Sequence, residues 1–458
     1  MQRRMLARAE FMASVSTTIK PARWYSELHA GHWRVLAASF LGWIFDGYEA
    51  YALLLVLGPA LRHLLGPAQL ADLSRYAGLV VAITLFGWAA GGVMGGMVAD
   101  YIGRKRTMML TILLYAVFSG LTAFVQNWPE LAACRLLTGI GLGAEWATGA
   151  TLIAETWPAR ARAKGQGMMQ SAFGWGSLLA AGIWYLLASF AGPSAWRYLF
   201  LIGAVPAFFV LYIRRNLDES EKWIEKNEER KRLQEQRSLG AKLSVEQAVA
   251  ADFTLGVVLR NPQLARFGVL CTLMSLATTV GYWAISSWIP AYAESIAKSA
   301  SASNPAQWAA LAGVLYNLGA IAGYLAGGFL ADTVGRRPLL VIYFCGSIAA
   351  TPLVYLWSHS PQAIALTATV CGAFSLGQFV WMAIYPPELF PTAVRCTAVS
   401  MIFNLSRFVA ALGPLISGSL ISRLGGYSST ALLFSLVYLL GLAAVPLLPE
   451  TNGKPLPT

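Results

Sequence analysis

Apolar residues in this chain of 458 residues are gathered into long runs rather than dispersed. Twelve such runs can be marked, at 33–61, 76–99, 107–126, 131–154, 166–190, 197–213, 264–293, 306–331, 338–357, 361–386, 396–422 and 428–448. A helix of about 20 apolar residues crosses a hydrocarbon layer of roughly 30 Å. Only helices and closed barrels can span, because every backbone polar group in lipid must be paired internally. The runs are too long and too evenly apolar for barrel strands, which need roughly 9–11 residues. The pattern therefore predicts an all-α membrane protein with twelve transmembrane helices in two six-helix bundles. It divides the chain into an N-terminal segment (1–32), a first bundle (33–213), a linker (214–263), a second bundle (264–448) and a tail (449–458).

Composition agrees, with 57% hydrophobic and 12% charged residues, where a soluble domain carries about 25% charged. The net charge of +12 could suggest nucleic acid, but the cations sort by loop. About 27 Lys and Arg fall on one side of the layer and about 5 on the other, which assigns the heavy side to the cytoplasm. Both termini then lie inside, and the expected location is the cell (inner) membrane. No secretory signal is visible, so the first spanning helix is expected to direct insertion. Within the linker, Asp218–Arg237 mixes Glu, Lys and Arg at high density, which predicts a solvated helix tethering the bundles. The five cysteines (Cys134, Cys271, Cys345, Cys371, Cys396) are odd in number and lack a Cys-x-x-Cys, so they read as small core residues rather than a disulfide framework or zinc site. No metal or cofactor is implied, and a monomer is expected.

Two loops occur twice. Gly96-x-x-x-Asp100-x-x-Gly103-Arg104-Lys105 returns 232 positions later as Gly328-x-x-x-Asp332-x-x-Gly335-Arg336-Arg337. Glu155-x-x-Pro158-x-x-x-Arg162 returns 233 positions later as Glu388-x-x-Pro391-x-x-x-Arg395. Different loops repeating at nearly one spacing indicate a duplicated unit. Parallel repeats of this kind build transporters with a binding site between the halves. Gly87, Gly91, Gly92, Gly95 and Gly96 in the second run, and Gly139, Gly141 and Gly143 in the fourth, allow close helix approach.

These loops, together with Arg135-x-x-x-Gly139-x-Gly141-x-Gly143, resemble the signature of the major facilitator superfamily. The tail Pro449-Glu450-Thr451-x-Gly453-Lys454 resembles the end of its sugar, niacin and organic-ion carriers. The resemblance covers nearly the whole chain and implies two six-helix bundles that work by alternating access. It also implies that Asp100, Arg104, Glu155 and Arg162, with their twins, contact neighbouring helix ends and influence which state is open. Asp46-Gly47-Tyr48-Glu49 resembles an element of aromatic acid:proton symporters. Gly143-Ala144-Glu145-Trp146 resembles sialate and lactate proton symporters. Arg407, twelve residues after Arg395, resembles the arginine that organic-anion carriers associate with anionic substrates. Glu145 departs from the aromatic acid pattern.

Charges at mid-membrane depth cost at least about 2.5–3.5 kcal/mol each, so they mark partners or a wet cavity. Asp46 and Glu49 in the first run and Glu145 in the fourth are suited to carry a proton. Arg407, with Asn404 three residues before it, offers a planar fork to a carboxylate; a permanent ion pair with Asp46 or Glu49 is the alternative. Arg135 is expected to act structurally or as a proton relay. Tyr48, Tyr51, Gln170, Phe173, Trp175, Tyr282, Trp283, Gln378, Trp381 and Tyr385 are expected to complete a lining suited to a small, partly apolar acid. Trp33, Trp128, Trp196 and Trp288 are expected to anchor the interface. The leading reading is proton-coupled uptake of a small organic anion, such as an aromatic or short-chain carboxylate. A proton-coupled exporter of drugs or metabolites is the alternative. A membrane sensor would need a signalling domain that the linker and tails are too short to hold. No nucleophile–base set, metal cluster or phosphate loop supports an enzyme.

Overall fold

The computed structural model describes residues 23–190, 192–241, 244, 247, 254–412, 421 and 423–457, and every regular element among them is helical. In the first half these are α1 (Ala30–Leu64), α2 (Leu73–Ile102), α3 (Arg104–Thr122), α4 (Trp128–Thr156), α5 (Ala159–Phe190), α6 (Ala195–Ile202) and α7 (Pro206–Asn216). The linker holds α8 (Glu221–Ser238) and α9 (Thr254–Arg260). The second half holds α10 (Pro262–Ala284), α11 (Ile289–Ser299), α12 (Pro305–Val334), α13 (Arg336–Tyr355), α14 (Pro361–Cys371), α15 (Val380–Ile384), α16 (Pro386–Leu389), α17 (Arg395–Ala410), α18 (Tyr427–Ser435) and α19 (Val437–Ala444).

Local chemistry sets several starts. Asn127, Asn261, Asn304 and Ser360 each cap a helix through the side chain, and each is followed at once or one residue later by proline. That order satisfies an orphan N–H and pre-sets the first turn. The twin hinges Gly103 and Gly335 adopt φ of 103° and 94°, a region that penalises any Cβ. Most helices overrun their apolar runs by about a turn, because a helix continues past the lipid boundary until a cap ends it.

Nine helical stretches among the described residues are long and apolar enough to cross a membrane. The other three predicted runs fall short for visible reasons. Arg104, Lys105 and Arg106 open α3, and α4 carries Glu130, Arg135, Glu145 and Glu155. The described part of α17 is 16 residues long, and most of its predicted run beyond 412 lies outside the described residues, as do residues 1–22 and parts of the linker. Phe86, Phe124, Phe208, Leu366 and Trp357 are exposed on the outside, an apolar surface that suits lipid rather than water.

In the first half α2 packs on α4, α1 on α5 and α3 on α4; in the second, α12 packs on α14 and α10 on α17. Two crossings join the halves, α2 with α17 and α5 with α12. At the first, a Cβ on Gly96 would meet Ser400 and the Cys396 carbonyl; at the second, one on Gly328 would meet the Ala163 carbonyl and Gly167. These six positions pair as three sets of sequence twins, so the repeat is also a packing symmetry. The run at 361–386 is interrupted by a π turn at Gly372–Leu376 and a 3₁₀ turn at Gly377–Phe379.

Two expected positions are corrected. Trp196 is fully buried beneath Arg197 and beside His63 and Phe200, because its helix packs inward there. Trp175 is 47% exposed on the outer face of α5. Cys345 is likewise exposed rather than in the core, and the cysteines are unbonded.

Candidate functional site

A central cavity of about 70 Å³ lies between the halves, walled by α1, α2, α5, α10, α12 and α17 and by the irregular turns after α14. Its walls are aromatic. Trp43, Trp88, Phe173, Tyr282, Trp283 and Phe403 face it, with Thr84, Gln170, Ser177 and Thr279 as hydrogen-bonding points between them. Arg407 is the charged side chain in the lining. Its Nη1 donates to the Phe403 carbonyl at 3.0 Å and to Asn404 Oδ1 at 3.1 Å. The guanidinium lies 3.8 Å from the Phe403 ring centre and 4.7 Å from that of Trp88, so π faces help to hold the cation. Asn404 is itself fixed by donating to the Ser400 carbonyl at 2.9 Å.

Of the expected lining, Tyr51, Gln170, Phe173, Tyr282, Trp283 and Arg407 are brought together. Asn404 stands behind Arg407 and orients it. Tyr48 donates to the Leu199 carbonyl at 2.7 Å, and Trp381 Nε1 to Thr278 at 3.2 Å. Gln378 donates to the Ser375 carbonyl at 2.9 Å, and the Tyr385 hydroxyl bonds the Pro449 carbonyl near the tail. These four stand off the cavity. The π turn shifts the helical phase, so Leu376 and Phe379 line the cavity in place of Gln378 and Trp381. Trp43, Trp88 and Phe403 were missed. Phe403 sits four residues before Arg407 and Trp43 three before Asp46, so helical spacing from the charged residues would have found both.

The buried acids form two separate groups. Glu49 pairs with Arg135 at 3.0 Å and accepts from Ser119 at 2.5 Å; Arg135 also donates to Thr122 at 2.7 Å. This cluster ties α1, α3 and α4 together. Asp46 and Glu145 face one another across α1 and α4, and a Cβ on Gly42 would collide with the Glu145 carboxyl. Both acids are buried, and among the described residues their carboxyl oxygens reach only one another and the Tyr115 hydroxyl. Arg407 makes no ion pair with either acid within 4.0 Å among the described residues. Beside the acids, Trp146 stacks on Phe403 at 3.6 Å and gives its Nε1–H to Gln170 at 2.7 Å.

The repeated loops meet at one end of the cavity and close it. Asp100 and Glu155 both bind Arg104, at 3.1 and 3.0 Å. Across the halves, Arg395 binds Glu155 at 3.0 Å, and Thr397 donates its N–H and hydroxyl to Asp100 at 2.8 and 2.7 Å. In the twin arrangement Arg336 binds Asp332 at 3.1 Å and Glu388 at 2.7 Å, and Lys164 crosses the halves to Asp332 at 2.5 Å. Each hinge is completed by a carboxylate from beyond its bundle. Glu219 accepts from the backbone N–H groups of Arg104 and Lys105, both at 3.1 Å. Glu450 accepts from those of Arg336 and Arg337, both at 2.9 Å. Burial raises Glu219 above the ordinary glutamate range. Burial also opposes ionisation of Glu450, but four backbone N–H donors outweigh it and hold that acid below the range. This third repeat was legible: Leu217-x-Glu219-Ser220 and Leu448-x-Glu450-Thr451 lie 231 positions apart. The linker helix joins the same clasp, since Arg230 donates to the carbonyls of Asp100 and Ala393 at 3.0 and 2.7 Å.

Residues 35–458 match the model of a family described as sugar (and other) transporters. A Haemophilus influenzae protein assigned to metabolite transport is 32% identical, over 93% of this chain and 98% of its own. The cis,cis-muconate transport protein of Acinetobacter baylyi is 26% identical, over 87% of this chain and 90% of its own. Among solved structures, the proton:xylose symporter XylE with 6-bromo-6-deoxy-D-glucose bound superimposes with a TM-score of 0.74, at 21% identity, over 93% of this chain and 98% of that one. That likeness is one of fold: the all-helical chain has the major facilitator architecture.

Proposed function

The chain belongs to the sugar (and other) transporter family, is a membrane transporter rather than an enzyme, and on that premise we propose that it imports a small organic anion together with a proton. The observation that carries this reading is one cation, Arg407, set in an aromatic-lined cavity between the halves, with the buried acids Asp46 and Glu145 paired to one another beside it. A guanidinium held on one edge by Asn404 and Phe403 suits a carboxylate. The Trp and Tyr faces suit a flat or partly apolar body better than a polyhydroxylated ring. The cis,cis-muconate relative moves a molecule of this class.

In this reading the chain crosses the membrane twelve times, with bundles at 33–213 and 264–448, as a monomer in the cell membrane. Both termini and the repeated loops are cytoplasmic, and the clasp then marks a state closed to the cytoplasm. Asp46 and Glu145 share the coupling proton, while Glu49 is engaged with Arg135. A proton on the acid pair and an anion on Arg407 together lower the net charge carried through the closed intermediate, which eases its formation in a low-dielectric interior. Arg407 would repel the cations that an exporter of cationic drugs must bind.

The test is uptake into proteoliposomes under an inward proton gradient, with muconate, aromatic acids, short monocarboxylates and sialic acid in parallel. One acid is expected to accumulate, and Arg407→Ala to abolish its uptake. Intact uptake in Arg407→Ala, or no gradient-driven uptake of any acid, would overturn the reading.

A further inference from the structure

Duplication predicts twin ion pairs between the halves, and the one made by Arg395 has no twin among the described residues. Arg395 crosses the halves to Glu155. Its twin Arg162 should cross to Glu388, but Arg336 already takes both oxygens of Glu388, at 2.9 and 2.7 Å, and Thr451 donates to it at 2.5 Å. Arg104 gives Glu155 a single hydrogen bond, at Oε1, and Arg395 shares that oxygen, whereas Arg336 and Thr451 together occupy both oxygens of Glu388. Arg162 is only 7% exposed. Among the described residues its guanidinium has no hydrogen bond or ion pair, and its Nε is fully enclosed without a partner. A buried, unpartnered guanidinium is costly unless an anion meets it.

Arg162 borders a basin of about 450 Å³ between the halves. Arg160 and Lys164 line it from the first half, and Arg336 and Lys454 from the second. Its two carboxylates are already covered, Asp332 by Lys164 and Arg336, and Glu388 by Arg336. Arg160, Arg162 and Lys454 remain without an ion pair among the described residues. The field reaches the linker: burial, then the charges of Arg162 and Arg395, push Lys222 below the ordinary lysine range.

We propose that this basin binds a phosphate group through Arg160, Arg162 and Lys454, and that the bound group ties the two halves together at the motif-loop end. Cations from both halves suit a multiply charged tetrahedral anion better than a monocarboxylate. The site is separate from the Arg407 cavity, and its test needs no transport.

The experiment uses the full chain in phosphatidylcholine nanodiscs at fixed ionic strength, with inorganic pyrophosphate as probe. Thermal midpoint and alkylation of Cys396, which is buried at the α2–α17 crossing, are the readouts. Pyrophosphate is expected to raise the midpoint saturably and slow alkylation, with at least a tenfold weaker apparent affinity in Arg162→Gln and in the double variant Arg160→Gln/Lys454→Gln. Should Arg162→Gln fail to fold, the double variant at the exposed rim decides. Nanodiscs containing phosphatidic acid form the second arm. Protection there without pyrophosphate assigns the group to a lipid headgroup, and protection by pyrophosphate alone assigns it to a soluble phosphate. Protection by neither, equal protection of the variants, or acetate matching pyrophosphate would overturn the proposal.

Discussion

Glu155→Gln tests whether the clasp sets the conformational balance. Glu155 Oε1 receives Arg104 from its own half and Arg395 from the other, each at 3.0 Å, and all three side chains are shielded from solvent. The contact with Arg104 stays within one half, so its loss weakens both states alike. The contact with Arg395 exists only while the halves are closed at this end. A hydrogen bond to a charged group contributes about 1.5–3 kcal/mol net. Removing it should therefore lower the closed-to-open ratio by about tenfold to a hundredfold. Cys396 reports the change directly, being the residue after Arg395 and fully buried while the clasp is shut. In a background where Cys134, Cys271, Cys345 and Cys371 are replaced, Glu155→Gln should raise its maleimide labelling rate by about that factor. Labelling unchanged in a variant that keeps its thermal midpoint would refute the view that this ion pair holds the halves together.

Asp46→Asn and Glu145→Gln are each expected to abolish accumulation driven by a pH gradient while sparing exchange of labelled for unlabelled substrate, measured by counterflow. Loss of exchange as well would assign both acids to substrate binding. Arg407→Lys should lower affinity for a carboxylate at least tenfold, because a point charge cannot replace the planar fork; titration of uptake against concentration reads it. Glu450 should lend the tail a pH-dependent dock. Since its folded value lies below the ordinary glutamate range, its contribution is complete above that range and is lost as pH falls through the lower folded value. Limited proteolysis should find the tail protected near neutrality and cut progressively in stronger acid, with Glu450→Gln susceptible throughout.

Much of the fold could be read from local pattern. Apolar runs, proline-backed caps and the duplicated loops depend on residues near one another in sequence, and the helices follow them to within about a turn. The site was legible where one helix carries both the charge and its neighbours, as with Arg407 and Asn404. It was not legible where helix phase changes: nothing in the apolar run at 361–386 announces the π turn that turns Gln378 and Trp381 off the cavity. Tyr48 and Tyr385 illustrate a second limit, since a tyrosine that satisfies its hydroxyl on a remote carbonyl looks, in sequence, like one that faces a substrate. The division of labour between Glu49 and the Asp46–Glu145 pair depends on which helices lie across from each acid, which only the packing reveals.

The two crossings between the halves are built alike and bonded differently, and this sets an order of rupture. On the α5–α12 side the bond is Lys164 to Asp332, whose side chains are 11% and 19% exposed, open to competition from water and mobile ions. On the α2–α17 side, Asp100, Glu155, Arg395 and Thr397 are sealed, and their bonds must break before water can replace them. Separation at this end is therefore expected to start at the wet side and run toward the dry one, as a peel rather than a parallel parting. The duplicated chain has kept the shape of a symmetrical hinge and sealed its two leaves unequally.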